Sequence, residues 1–170
     1  MSFKKYLPEF VYGSIDGTVT TFAIVSGIAG AALSPGIVLI LGISNVLADG
    51  FSMASSNFLS ERSKENHSIE NAFKTALATF IPFVLIGSLP LASYIFNFEF
   101  YLNNFFSTNF SNFQFSILIT GLTFILIGLV RGKINNTSKS QAAAETLAIG
   151  TLAALIAYYV GYALKGIAQI

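Results

Sequence analysis

Long apolar stretches alternate with short charged or polar segments along the whole chain. About 20 helical residues cross a hydrocarbon core of ~30 Å. Five stretches therefore predict membrane-spanning helices, at about residues 10–33, 37–60, 72–96, 116–130 and 142–164. The breaks between them carry turn or charge signals: SPG, ERSKENHSIEN, a Phe- and Asn-rich loop, and RGKINNTSKSQ. The pattern indicates an all-α membrane protein with a single transmembrane domain over residues 1–170.

Composition supports this fold class and excludes several functions. The chain is 54% hydrophobic and 10% charged, whereas soluble domains carry about 25% charged residues. A net charge of +1 gives no reason to expect a nucleic-acid partner. The chain has no cysteine and one histidine, which argues against Cys- or His-based metal centres. We found no pairing of a nucleophile with a base, so the sequence predicts a protein that is not an enzyme.

The basic residues predict the orientation in the membrane. Cytoplasmic loops of membrane proteins are enriched in Lys and Arg. Three segments on one side of the predicted bilayer hold Lys4, Lys5, Arg62, Lys64, Lys74, Arg131, Lys133 and Lys139. The opposite side has only Lys165. We therefore expect a cytoplasmic N-terminus, an outer C-terminus and an aromatic 98–115 loop on the outer side.

The third predicted span contains two prolines, Pro82 and Pro90. Membrane helices tolerate proline, but its missing N–H and its ring kink the helix. We expect this span to be bent.

A carboxylate, Asp16, lies within the first span. An aspartate at the centre of a membrane helix costs roughly 2.5–3.5 kcal/mol on insertion scales, so such acids usually have a partner or a task. With a rise of about 1.5 Å per residue, Asp16 and Met53 of the second span lie at similar depth. Asn45, Asp49 and Met53 follow one another at intervals of four and form one stripe on the second span.

These donors predict a metal site near the cytoplasmic mouth. Carboxylate and amide oxygens suit hard and borderline divalent cations, and a thioether sulfur is soft. A mixed set of this kind favours a first-row transition metal such as Fe²⁺. The acids can also take up protons. Two structural alternatives stay open, because Met53 could serve packing alone and Asp49 could hydrogen-bond a neighbouring backbone.

The first span also carries a stripe of small residues. Asp16, Thr20, Ala23, Gly27 and Ala31 recur at steps of three and four. Small residues let two membrane helices approach closely. We expect this face to pack against another helix, with its own copy in a homodimer as the favoured partner, so that each ligand appears twice.

Two further acidic positions have open interpretations. Glu145 at the start of the fifth span is either another pore or proton-coupling residue or a residue that favours the helix N-terminus. Thr20, with its hydroxyl group, is a further candidate pore or proton-coupling residue. A charged cluster follows the second span and could gather cations at the cytoplasmic entrance, or could simply be a solvated helix end: Glu61, Glu65, His67 and Glu70.

Three segments resemble a known family. YGSIDGTVTTFAIVSGIAGA resembles the first span of the vacuolar iron transporter family, and ISNVLADGFSMASSNFLSERS resembles its second, with Phe58 where the family has tyrosine. AAAETLAIGTLAALIAYYVGYALKG is similar to the last span. The resemblance implies five spans and a homodimer with a pore at the dimer interface. It also implies export of Fe²⁺, or sometimes Mn²⁺, from the cytosol in exchange for protons, with Asp16 and Met53 as pore residues and Asp49 as a further acid.

One departure from the family is large. Its well-studied members insert a long cytoplasmic segment that binds metal between the second and third spans, where this chain has only residues 61–72. The alternative function is therefore a membrane metal sensor or scaffold subunit that transports nothing. Beyond metal ions, a second copy and the lipid bilayer, no partner is expected. The compact sequence indicates the plasma membrane of a prokaryote.

Overall fold

A computed structural model describes residues 3–64, 68–106 and 110–167. Four long helices besides α1 form the body of the molecule, with two short ones between α3 and α6. Their bounds are α1 Leu7–Gly30, α2 Pro35–Arg62, α3 Ile69–Gly87, α4 Ala92–Ile95, α5 Phe98–Phe106, α6 Asn112–Ile134 and α7 Lys139–Leu164. Short 3₁₀ turns occupy Phe3–Tyr6 and Leu89–Leu91.

The bundle buries many hydroxyl side chains beside its apolar core and exposes large apolar side chains at its surface. Hydroxyl side chains such as Thr18, Thr79 and Ser116 are fully buried. Large apolar residues of the outer helices, among them Leu122 and Ile156, are more than 60% exposed. Because lipid tails solvate apolar side chains, such a surface is stable only in a bilayer. The chain is a multi-pass membrane protein.

Four helical segments of the described chain have the length and hydropathy of a membrane span: Pro35–Arg62, Ile69–Ile95, Asn112–Ile134 and Lys139–Leu164. The first predicted span, α1, is 24 residues long, or about 36 Å. It is not one of these four segments, and it carries Asp16 and several buried hydroxyl residues. It packs against α3 and α7 over much of its length and also contacts α6 and α2.

Two of the buried hydroxyl groups of α1 bond to its own backbone, whereas those of Thr21 and Ser26 have no hydrogen-bond partner among the described residues. Ser14 Oγ donates to the Phe10 carbonyl at 2.7 Å, and Thr18 Oγ1 donates to the Ser14 carbonyl at 2.7 Å. Such bonds to the preceding turn remove most of the cost of burying a hydroxyl. They allow α1 to occupy the centre of the bundle although its inner face is polar.

The third predicted span breaks near its outer end. Pro82 is buried inside α3 without ending it, and the helix stops at Gly87. Pro90 lies in the following 3₁₀ turn, and Ser116 Oγ of α6 donates to its carbonyl at 2.6 Å. The helix therefore breaks between Gly87 and Pro90 rather than at Pro82. Ser116 of α6 supplies a hydrogen-bond partner for the Pro90 carbonyl at this break.

The predicted outer loop and the fourth span also differ in detail from the structure. The loop contains a nine-residue helix, α5. The helix that corresponds to the fourth predicted span, α6, has 23 residues and is longer than the predicted range 116–130. Its start is fixed by a capping box, in which Ser111 and Gln114 satisfy each other's backbone N–H groups.

The small-residue face of α1 is used partly within the chain. A Cβ on Gly161 of α7 would lie 2.0 Å from the Gly27 carbonyl oxygen, and one on Gly30 would lie 2.1 Å from the Tyr158 oxygen. Gly27 therefore faces α7 of the same molecule, and Ala31 is buried. The expectation that this whole face meets a second copy is wrong for its Gly27–Ala31 half, because α7 already occupies the space.

We predict that Gly161→Ala destabilises the protein. The new methyl group would meet the Gly27 backbone, and overpacking typically costs about 1–3 kcal/mol. Gly121→Ala is the matched control, since a Cβ there has no neighbour within 4 Å and alanine is the better helix former by about 1 kcal/mol. Thermal unfolding in detergent should give a lower midpoint for the first variant only. Equal midpoints would contradict the close α1–α7 contact.

Candidate metal site at the α1–α2 face

The two carboxylates predicted for the pore lie on neighbouring helices, Asp16 on α1 and Asp49 on α2. Both residues are half-buried. Each precedes a glycine, and both glycines pack against Phe83 of α3, which holds the two helices at matching depth.

Contacts with α3 define two levels along this face. At the first level, Gly13 of α1 lies against Thr79, and Asn57 Nδ2 of α2 donates to Thr79 Oγ1 at 2.6 Å. At the second level, Gly17 and Gly50 lie against Phe83. A Cβ on Gly17 would be 2.6 Å from the Phe83 carbonyl oxygen, so the backbones of α1 and α3 nearly touch.

Asp16 and Met53 fall between these same two levels, as their positions in α1 and α2 require. Asp49 lies one residue beyond the second level. Met53 is half-buried. Asp16 on α1 and the Asp49–Met53 turn of α2 therefore lie at similar depth.

Two more predicted residues adjoin this face. Asn45 lies one turn from Asp49, and its Nδ2 atom is buried without a hydrogen-bond partner. Thr20 lies one turn from Asp16, and its hydroxyl donates to the Asp16 backbone carbonyl at 2.9 Å. The Thr20 proton is therefore engaged, while its oxygen lone pairs stay available as acceptors.

A single chain supplies few charged donors at any point. Within the described ranges, no three His, Cys, Asp or Glu side chains come together. Asp16 and Asp49 are a pair of acids, to which Met53 can add a sulfur and Asn45 an amide oxygen. This set favours a transition metal over Mg²⁺ or Ca²⁺ when the Met53 sulfur is one of the ligands.

Glu9 is a residue that sequence reasoning missed. It lies in the first turn of α1, and its Oε2 atom is buried without a hydrogen-bond partner. Seven residues separate Glu9 from Asp16, so the two lie on one face of α1, about 10 Å apart along the axis. The spacing is present in the sequence, but the predicted first span begins at about residue 10 and therefore leaves Glu9 outside it.

Glu145 has a partner outside this face. Its carboxylate forms an ion pair with Arg131 of α6 and accepts a hydrogen bond from Gln141 Nε2 at 3.3 Å. About half of its side chain is exposed. These contacts favour a structural role at the α6–α7 end over a role beside Asp16.

The acidic cluster after α2 is neutralised where it is described. Glu61 pairs with Lys64, and Glu70 pairs with Lys74. Glu65 and His67 lie outside the described residues. Neither described carboxylate is free to gather a cation without giving up its lysine.

Comparison with known proteins now bears on this arrangement. The model of the VIT family matches residues 7–70 and 63–162, which together cover most of the chain. The chain belongs to the VIT family. Both segments of the α1–α2 face lie within the first match.

Named relatives agree with this membership. A protein named vacuolar iron transporter from Plasmodium berghei is 24% identical over 95% of this chain and 83% of its own length. One from Plasmodium falciparum is 40% identical over 40% of this chain and 29% of its own length. Vacuolar iron transporter 1 of Arabidopsis thaliana is 37% identical over 35% of this chain and 24% of its own length.

The alignments also show that a relative has residues that this chain lacks. The match to the Plasmodium berghei protein spans 231 aligned residues, more than the 170 of this chain, so the relative has residues without a counterpart here. The two family matches meet at residues 63–70, between α2 and α3. This is the place where the sequence already indicated a shortened connection.

We predict that the Asn57–Thr79 hydrogen bond stabilises the register of α2 against α3. Interhelical hydrogen bonds in membrane proteins contribute about 1 kcal/mol. A double-mutant cycle with Asn57→Leu and Thr79→Val, read by unfolding in detergent, should give a coupling of that size. The pair Ser63→Ala and Thr79→Val is the control, because Ser63 bonds only within α2. A coupling near zero in the first cycle would refute the link.

Proposed function

We propose that this protein is a proton-coupled transporter that exports Fe²⁺, and also Mn²⁺, from the cytosol. The observation that carries the proposal is the matching depth of Asp16 and Asp49, each of which precedes a glycine packed against Phe83. Met53 lies one turn from Asp49 on α2. Membership of the VIT family and the relatives named vacuolar iron transporter support iron as the substrate.

The donor set supplies the chemistry of transport. Fe²⁺ loses water on entering the membrane, and the carboxylates of Asp16 and Asp49 replace that water with anionic oxygen. Met53 adds a soft ligand that Mg²⁺ and Ca²⁺ have no reason to use. A carboxylate can carry either a cation or a proton, and this exchange links metal movement to opposite proton movement.

A homodimer is the assembly that this surface favours. On the outside of α2, a row of small and polar residues is exposed beside the Asp49 stripe: Ser44, Ala48, Ser52 and Ser56. The outer surfaces of α6 and α7 carry leucine and isoleucine instead. Polar groups facing lipid are costly. A second copy would cover them and double the ligands of Asp16, Asp49 and Met53.

Glu9 extends the proposed metal path from Asp16 toward the end of the bundle that carries Lys5, Arg62 and Lys74, which is called the basic end below. Its carboxylate lies on the face of α1 that also carries Asp16, and no described group neutralises its buried oxygen. We assign it a place before Asp16 on the cytoplasmic approach. This place does not depend on Glu61 or Glu70, whose lysine partners already occupy them.

We predict that Asp16→Asn and Met53→Ala each reduce Fe²⁺ uptake into proteoliposomes at least about tenfold. Loss of even a supporting group at a metal site costs 10–100-fold in affinity or activity, and these residues are proposed ligands. The internal pH signal should fall with uptake. Glu145→Gln is the control that should keep both signals, because Glu145 pairs with Arg131.

The outcomes separate the parts of the proposal. Normal flux in Asp16→Asn would remove Asp16 from the site. Metal uptake without a pH signal would remove the proton exchange. Arms with Mn²⁺, Co²⁺ and Zn²⁺ rank the substrates, which the ligand types alone leave open.

The basic end of the bundle is proposed to face the cytoplasm, with five spans that include α1. Tyr6 Oη donates to Asn71 Oδ1 at 3.5 Å, so α1 and α3 begin side by side. The curated relatives above are eukaryotic and vacuolar by name. The plasma membrane of a prokaryote stays our prediction for this chain.

We predict that single cysteines at Lys5 and Ser63 react from the cytoplasmic side, and one at Gly166 from the outer side. The chain has no native cysteine, and all three positions are exposed. A membrane-impermeant maleimide, applied before and after permeabilisation, reads the side. Opposite sides for Lys5 and Ser63 would mean that α1 does not cross.

The second candidate function is a metal sensor or scaffold subunit without transport. The short α2–α3 connection favours it, since the two family matches meet there and the aligned relative has residues that this chain lacks. Purified protein alone in liposomes decides between the two. A sensor binds metal through Asp16 and moves none.

A further inference from the structure

A second feature of the bundle lies away from the metal site, in a groove between α2 and α3 near the basic end. It encloses about 440 Å³. Its walls are the rings of Phe51 and Phe58 on α2 and of Phe73 and Phe80 on α3, and small residues form the floor. Ala54 and Ala76 are two of these small residues.

This groove faces away from the proposed pore. Phe51 is two residues beyond Asp49, which turns it about 200° around α2. Phe51, Ser55, Phe58 and Arg62 follow at intervals of three and four and form one stripe. The groove therefore opens toward lipid on the side of α2 opposite the Asn45–Asp49–Met53 stripe.

A cation without a carboxylate partner lies at the basic end of the groove. Arg62 stands over the ring of Phe58, with its guanidinium carbon 6.0 Å from the ring centre. The neighbouring lysines Lys64 and Lys74 are paired with Glu61 and Glu70. Arg62 takes part in none of the ion pairs formed by the described residues. The mouth of an apolar groove thus carries one positive charge that no carboxylate of the described residues pairs with.

We propose that this groove binds an anionic phospholipid, with one acyl chain along the phenylalanine walls and the phosphate at Arg62. From Phe58 to Phe51 the groove runs about 10 Å along α2, parallel to the acyl chains of a bilayer. The guanidinium can hold two phosphate oxygens at once. Basic pockets between membrane helices on the cytoplasmic side recognise anionic headgroups. The charge and the apolar walls are arranged in the order of a lipid molecule.

Another cavity in the chain provides a natural comparison. It lies between α1, α6 and α7, encloses about 390 Å³ and is lined by residues such as Phe22, Phe124 and Leu155. No Lys or Arg lines it. A lipid chain that enters this cavity meets no cation, so it should not distinguish anionic from neutral headgroups.

The test uses the absence of native tryptophan. Leu77→Trp places a single reporter in the groove, and Leu155→Trp places one in the comparison cavity. Each protein is reconstituted in equal mixtures of phosphatidylglycerol and phosphatidylcholine, with brominated acyl chains on one lipid or on the other. Tryptophan quenching then reports which lipid lies at each site.

We expect brominated phosphatidylglycerol to be preferred roughly fivefold at Leu77→Trp, the preference of one basic residue for an anionic surface. Arg62→Gln should abolish the preference, and Lys64→Gln should keep it, since Lys64 is paired with Glu61. Leu155→Trp should show none. Equal quenching by both lipids at Leu77→Trp overturns the proposal. So does weak quenching by both, which would mean that a second copy covers the groove.

The result is independent of metal transport. Arg62 and the groove residues are not among the proposed ligands, so Arg62→Gln should retain Fe²⁺ uptake in liposomes that contain phosphatidylcholine alone at the wild-type rate measured in the same lipid. Loss of the lipid preference with uptake intact supports a separate lipid site. Loss of uptake in this neutral lipid overturns the claim that the groove is separate from the transport path.

Discussion

Close backbone contact around α1 is the constraint on which the rest of the structure depends. A Cβ added to Gly17 would lie 2.6 Å from the Phe83 carbonyl oxygen of α3, and one added to Gly161 of α7 would lie 2.0 Å from the Gly27 carbonyl oxygen. Between lipid-solvated helices there is little hydrophobic drive to associate, so packing must come from such close approach. A helix with larger residues at these positions could not occupy the centre of the bundle.

The same contacts place the candidate site. Asp16 and Asp49 each precede a glycine that rests on Phe83, so the packing of three helices fixes the level of both acids. The Asn57–Thr79 hydrogen bond fixes the other level, which was described above as the first. The surrounding helices thus hold the two acids at matching depth. A site that two like charges must share is suited to a cation or a proton, because either removes the repulsion.

The two faces of α2 have different chemistry. One carries Asn45, Asp49 and Met53 with small exposed residues beside them, and the other carries phenylalanine with Arg62 at its end. A single helix can serve both because residues two apart point in nearly opposite directions. We infer that one face meets metal and a second copy, while the other meets lipid.

The sequence by itself determined the fold class, the family and the stripe on α2. Apolar stretches of membrane length and the four-residue spacing of Asn45, Asp49 and Met53 are local features, and a helix converts such spacing directly into a shared face. The tertiary structure alone decided which faces meet. It turned Gly27 toward α7 within the chain, paired Glu145 with Arg131 and left an oxygen of Glu9 buried without a partner. These contacts join segments far apart in sequence. They depend on how closely two backbones approach, and that distance is set by all the helices packed around them rather than by the pattern within any one.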